Sequence, residues 1–522
     1  MKNIFFLFIV CGYLHNVEVF AKDDYLIKNV SVITMESDSI LEHTDVLLSG
    51  GRIISIGQGL KVDSSKVAVI NGKNKYLIPG LADMHMHFWG DSTALRLYLA
   101  NGVTTIRCMS GKPEYIKWRK EIDEGKKIGP QLYCNGPLMN DVNFIASYMP
   151  LSPRFIFLGT PIILFSGVSY FFLRFFFRKR IKTNPKRTFI ELGLPVICIG
   201  ISYAVTWLFC SIPQVAGEEV CLFAKNWEVR KAVREQARIG YDAIKPYSSM
   251  THSEFIALME EANKQNIPVV GHIPASVCID DVINYKMAGL AHVEELRYQF
   301  YKGYDFSGWN IPYDKIDTTG LDDITQRLKS ANIFVTSSLI PCKEYIDRRI
   351  NDSAFNSRPE MRYFPLKTLS LSKKEGFKSR EQYPDKEYWL LTSMFKSCHK
   401  NGVRIVLGTD SRWTNDVHGF SVHDELKLLV ENGLTPYEAL QAATKNAAIS
   451  VNAIKEWGTI SEGKRADLLL IDKNPLEDIE NTKTIDGVFL NGAWYDHEAL
   501  DNMLQEIYEY NRDNDRIISA HP

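Results

Sequence analysis

Cysteine is sparse and scattered: nine in 522 residues, with no Cys-x-x-Cys pair. That spacing excludes a zinc knuckle and a dense disulfide framework. No excess of one charge sign is present either. The 61 Lys+Arg against 62 Asp+Glu leave a net of −1, so the chain lacks the basic footprint of a nucleic-acid binder. Internal repeats and low-complexity tracts are missing. A mean hydropathy of −0.15 excludes a polytopic transporter, although an average can hide a few local spans. What is present is a 45% hydrophobic fraction, ample for a large core. The length suits about two to four domains, or one large barrel with additions.

Two stretches point to a membrane. Residues 1–21 begin Met1-Lys2-Asn3, run apolar from Ile4 to Leu14, and end on the small Ala21. This is the pattern of a secretory signal peptide. Residues 155–177 carry one charge, Arg174, and residues 189–212 carry one, Glu191. As helices each would be about 35 Å long, enough to cross a hydrocarbon core of about 30 Å. Between them six cations fall in ten residues, from Arg178 to Arg187. Such a short basic loop stays cytoplasmic. The expectation is a two-helix transmembrane hairpin within 151–215, with the bulk of the chain on the exported, periplasmic side and the bilayer as a partner.

Elsewhere, apolar β-type runs alternate with runs of helical period. Eight candidate strands fall at 81–87, 103–109, 131–136, 241–247, 267–272, 289–293, 332–338 and 403–409, with helices such as 226–239, 252–265 and 421–432 between them. That alternation predicts an α/β fold, a (β/α)8 TIM-type barrel, in two parts, 81–150 and 216–455, with the hairpin inserted after the third strand. Residues 24–80 and 456–495 are short β-like runs broken by glycine, expected to meet as one small β-sandwich, and 496–522 are left as a tail. The polar stretches 300–320 and 341–385 are candidate substrate-covering loops.

His85 and His87 lie one residue apart at the end of the first strand, where alternate side chains face the same way. An isolated His-x-His pair is weak evidence for a metal. Lys245 ends the fourth strand, His272 the fifth, His292 lies at the sixth and Asp410 follows the eighth. Active sites of such barrels sit at the C-terminal ends of the strands, and imidazole and carboxylate suit divalent ions such as zinc.

At this point the chain resembles the amidohydrolase superfamily. The matching motifs are Pro79-Gly80-Leu81-Ala82-Asp83-Met84-His85-Met86-His87, Asp242-Ala243-Ile244-Lys245, Gly271-His272-Ile273-Pro274, His292-Val293-Glu294 and Gly408-Thr409-Asp410, with the stretch from Gly458 to Asp467. Within it, the chain looks most like the branch of imidazolonepropionase-like enzymes and Xaa-Pro dipeptidases. The resemblance implies two divalent metal ions, usually zinc. His85, His87 and Asp410 would hold one, and His272 and His292 the other, with a carboxylated Lys245 bridging them. It also implies water activated by both ions, with Asp410 as the catalytic proton acceptor and donor. The implied reaction is hydrolysis of a carbon–nitrogen bond in an amide, cyclic amide or dipeptide-like small molecule. Ala291 departs from the pattern, standing where the family commonly has Glu. Tyr247, Arg297, Tyr298 and His418 are candidate substrate contacts. Lactone or phosphotriester hydrolysis on the same site, or a catalytically idle metal-retaining membrane receptor or scaffold, are the alternatives.

Overall fold

The computed structural model describes residues 24–141, 214–215, 219–300, 316–364, 384–411 and 416–520. Short parallel strands close into a ring. Leu81–Met86 pairs with Val103–Cys108, which pairs with Gln131–Cys134. Single bridges, Asn135 to Ala243 and Ile244 to Val269, bring in the fourth segment. Val270–Gly271, Gly289–Leu290, Phe334–Thr336 and Ile405–Val406 follow in parallel. A parallel bridge from Met86 to Ser411 closes the ring. The hydrogen-bonded stretches are shorter than the apolar runs.

The interior of the ring is small and apolar: Ala82, Met84, Ala243, Val270, Ala291, Phe334 and Val406 form one buried cluster. The three alanines leave room for one long side chain. Arg107 occupies the interior, fully buried, donating from Nε to the Met84 carbonyl at 2.8 Å and lying 5.4 Å from the Phe334 ring centre. The outer helices follow their sequence signals. Asn226–Ile239 ends on Gly240 at φ +93°, and His252–Gln265 starts at Thr251 with a reciprocal capping box to Glu254. Both devices satisfy backbone groups that a helix end leaves open.

The β-rich segments on either side of the barrel sequence assemble as one hydrogen-bonded eight-stranded mixed sheet around a shared buried core, with Tyr25 edge-on to Phe489 at 5.4 Å across it. Leu468–Ile471 is its joint, antiparallel both to Tyr76–Pro79 and to Ile485–Leu490. A fully buried LLLI strand needs a neighbour on each edge, and that continuity merges the two β regions. Residues expected as a tail form a helix, His497–Ala520. Leu500, Met503 and Ile507 are buried in it, an i, i+3, i+7 stripe, and Arg96 pairs with Glu506 at 2.6 Å. Within the expected loop 341–385, Ile340–Asn356 is helical with a break at Asn351.

Leu138–Asp141, Val220–Phe223 and Gln214–Val215 make a small sheet beside the barrel. It docks on the fourth segment: the Met139 amide donates to the Lys245 carbonyl, and the Tyr247 amide to the Met139 carbonyl, both at 2.9 Å. The expected signal peptide and the expected hairpin at 155–212 lie outside the described residues. Among the described residues, no helix is long and apolar enough to cross a membrane.

Candidate metal centre

Six side chains from distant parts of the sequence converge at one rim of the ring. Asp410 Oδ1 lies 3.2 Å from Nε2 of both His85 and His87, and Asp410 Oδ2 lies 3.9 Å from His292 Nε2. Lys245 Nζ is 3.4 Å from His85 Nε2. His85 stacks on His292 with ring centres 4.3 Å apart, and His292 meets His272 edge-on at 5.1 Å. Two groups of ligand atoms result, each within 4.8 Å: His85, His87 and Asp410, and His272, His292 and Glu295.

Local structure sets these positions. Asp410 adopts a left-handed backbone conformation, φ +55°, which Asp tolerates better than most residues. Its amide donates to the His85 carbonyl at 2.7 Å. Gly408 is required by close approach, since a Cβ there would sit 2.7 Å from that of His85. Buried Asp83 clamps the first and eighth strands together. It accepts from the Thr409 hydroxyl at 2.6 Å, from Tyr98 at 2.8 Å and from the amides of Thr409 and His85. Burial raises its carboxyl to about 6 against those donors.

The donor set fits divalent cations. His85 Nδ1 is 2.9 Å from the Ala291 carbonyl, which can only accept, so that nitrogen carries the proton and Nε2 is the free donor. His87 Nδ1 faces Ser110 Oγ at 2.8 Å. His272 Nδ1 faces Ser248 Oγ at 2.7 Å and Glu295 Oε1 at 3.0 Å. Burial first, and then the neighbouring cationic groups, hold His85, His87 and His272 below the usual imidazole range. Burial takes His292 down to about 4. Burial would raise Asp410, but its electrostatic contacts with His85 and His292 and the hydrogen bonds from His85 and His87 carry it well below the usual carboxylate range. Burial lowers Lys245 to about 8. Imidazoles held toward their neutral form, a carboxylate held toward its ionised form and an amine lowered from the usual lysine range form a ligand set that suits metal.

The other sequence candidates fall unevenly. Tyr247 is half-buried, its ring 4.3 Å from that of His272. Arg297 is only 4% exposed and lies 3.5 Å from both Glu294 and Glu387, with Tyr298 accepting from it at 3.0 Å. Its charge is thus already matched inside the protein, which weighs against a direct grip on a substrate carboxylate. His418 is buried behind the rim, 2.7 Å from Ser411 Oγ and 3.2 Å from the Tyr98 hydroxyl, so it braces the strand bearing Asp410. Sequence reasoning missed Glu295, Asp83 and Ser110. Glu295 was legible in principle: His292 caps a 3-10 turn, Val293–Gln299, and three residues on, the side chains eclipse.

The amidohydrolase family model matches residues 190–495, more than half of the chain. The chain belongs to the amidohydrolase family. It is a hydrolase of carbon–nitrogen bonds, from a family that typically binds divalent metals. Ochratoxinase from Aspergillus niger is 25% identical over 442 residues, spanning 77% of this chain and 72% of that protein. The crystal structure of A. niger ochratoxinase superposes with a TM-score of 0.60 at 20% identity, over 91% of this chain and 96% of that one. A Xaa-Pro dipeptidase with methionine in its active site gives 0.60 at 18%, over 91% and 100%. At these identities the structures speak for the barrel fold alone.

Proposed function

We propose that the chain is a binuclear metal-dependent amidase acting on a small amide, cyclic amide or dipeptide-like substrate. The reading rests on the position of Asp410, equidistant at 3.2 Å from the metal-facing nitrogens of His85 and His87. His85, His87 and Asp410 would hold one ion, His272 and His292 the other, with Lys245, carboxylated, between them; zinc suits this set. Divalent ions there would supply Lewis acidity, lowering the pKa of water and polarising a carbonyl. The remaining chemistry belongs to the chain. Asp410 stays ionised in a buried site and is placed to take a proton and return it to the leaving nitrogen. The Nδ1 contacts of the histidines fix ring orientation, and the buried rim keeps bulk water from competing. The name of the Xaa-Pro dipeptidase neighbour supports a dipeptide-like amide.

A panel of N-acyl amino acids, dipeptides, cyclic amides, lactones and phosphotriesters tests the reading. Amide hydrolysis should dominate, and Asp410→Asn should lower kcat by about 10²–10⁴ while the circular dichroism spectrum stays unchanged. Turnover only of lactones or phosphotriesters, or a fully active Asp410→Asn, would overturn it.

On sequence grounds alone we also propose that residues 155–212 anchor the enzyme, with the basic loop cytoplasmic and the catalytic domain exported. Cysteine labelling of loop and barrel positions from either side of the membrane checks this: both on one side would contradict it.

A further inference from the structure

The rim carries a large aromatic side chain that the chemistry above does not use. Trp89, two residues past His87, is 49% exposed. Its ring lies nearly parallel to that of His87, with centres 5.4 Å apart and planes 28° apart. Its backbone sits at φ +49°, followed by Gly90 at φ +81°. Two successive left-handed residues swing the chain outward and carry the indole away from the core. That conformation is unfavourable for a bulky side chain, and such outliers concentrate where a side chain must be presented. The turn is pinned from behind: the Gly90 amide donates to the Tyr115 hydroxyl at 3.1 Å, and that hydroxyl donates to Glu219 at 2.7 Å. The Asp91 amide donates to the Phe88 carbonyl at 2.9 Å. The indole is therefore held on a fixed turn, one face toward the metal-facing histidine and half its surface open. Across the site, the Tyr247 ring stands over His272.

We propose that Trp89 forms a stacking subsite that takes a flat aromatic group of the substrate, next to the scissile amide on the His87 side. This deepens the amidase reading and rests on it. An aromatic group laid on the open indole gains stacking and apolar burial in a place already fixed, so little ordering cost offsets it. An acetyl or other short aliphatic group gains neither.

Two matched pairs of amides test this: N-(2-naphthoyl)glycine against N-acetylglycine, and N-acetyl-2-naphthylalanine amide against N-acetylalanine amide. The protein is the full chain, with Trp89→Gly, which suits the left-handed backbone, and Trp89→Phe, which keeps an aromatic face. The wild type should prefer the naphthyl member of at least one pair. Trp89→Gly should lower that preference in kcat/KM about tenfold or more, and Trp89→Phe should restore much of it. Metal content should be equal in all three proteins. A uniform loss across both members of each pair, or loss of metal, would overturn the proposal and make Trp89 a brace for His87. Unchanged preferences would overturn it as well. Calorimetric binding of 2-naphthoate separates the two readings. If no amide is turned over yet naphthoate binds the wild type and not Trp89→Gly, the amidase reading fails and the subsite stands.

Discussion

Glu295 shows what a single side chain adds that no motif announced. It is fully buried, 3.0 Å from His272 Nδ1 through one oxygen, and accepts from the Ile273 amide at 3.0 Å through the other. Burial raises its carboxyl to about 8. It thus sets the orientation of His272 while bolted to the backbone that follows it. Glu295→Gln keeps the size but replaces one of the two oxygens, which face His272 Nδ1 and the Ile273 amide, with an NH2 group. Affinity for the second metal ion should fall about 10–100-fold, read by competition with a chromogenic chelator, while the first ion is retained. Equal loss of both ions would show that Glu295 supports the whole rim. The six expected ligands were legible because each sits at the end of an apolar run. Ser110 and Asp83 were not, since a supporting side chain is defined by what it faces across the fold, and Glu295 was legible only through its spacing from His292. Arg297 illustrates the converse: an arginine in the turn after a barrel strand reads as a ligand grip until Glu294 and Glu387 are found beside it.

At the level of elements, the strongest periodic signals translated directly. Helices expected at 226–239 and 252–265 are observed with those bounds, and the one expected at 421–432 runs Phe420–Glu431. The two β regions meet as expected around one core, but their continuity as a single hydrogen-bonded sheet was not legible, because strand content is visible in a sequence and strand adjacency is not. His423 ties three elements together. From the helix Phe420–Glu431 it reaches Thr482 Oγ1 at 2.9 Å and the Asn101 carbonyl at 3.1 Å. Burial, then the Lys483 charge, lowers it to about 4. A histidine depressed on folding favours the native state above its unfolded pKa of about 6.5, and that advantage is lost as pH falls from there through about 4. The full span corresponds to about 3 kcal/mol. Thermal unfolding followed from pH 7.5 to 4 should therefore fall less steeply in His423→Gln than in the wild type. Parallel curves would show that His423 does not titrate across this range.

For the whole molecule, barrel and metal are one problem. The rim gathers His85, His87, Lys245, His272 and His292 from four of the eight strand positions, and Asp410 from the loop after the last. A dication there links segments up to 325 positions apart in the sequence, from His85 to Asp410. Ligand bound only by the folded state stabilises it, by about 4 kcal/mol at a thousandfold excess over Kd. Stripping the protein with a chelator should therefore lower Tm by several degrees, with recovery on adding zinc. Removal that leaves Tm untouched would mean the rim is held by its own hydrogen bonds. The most direct test of the account counts the ions themselves. Anomalous diffraction at the absorption edge of the bound metal should show two peaks per chain, one among His85, His87 and Asp410 and one beside His272 and His292, with Lys245 reaching both. Crystals grown with zinc that show no peak at this rim, from protein that still hydrolyses amides, would contradict it.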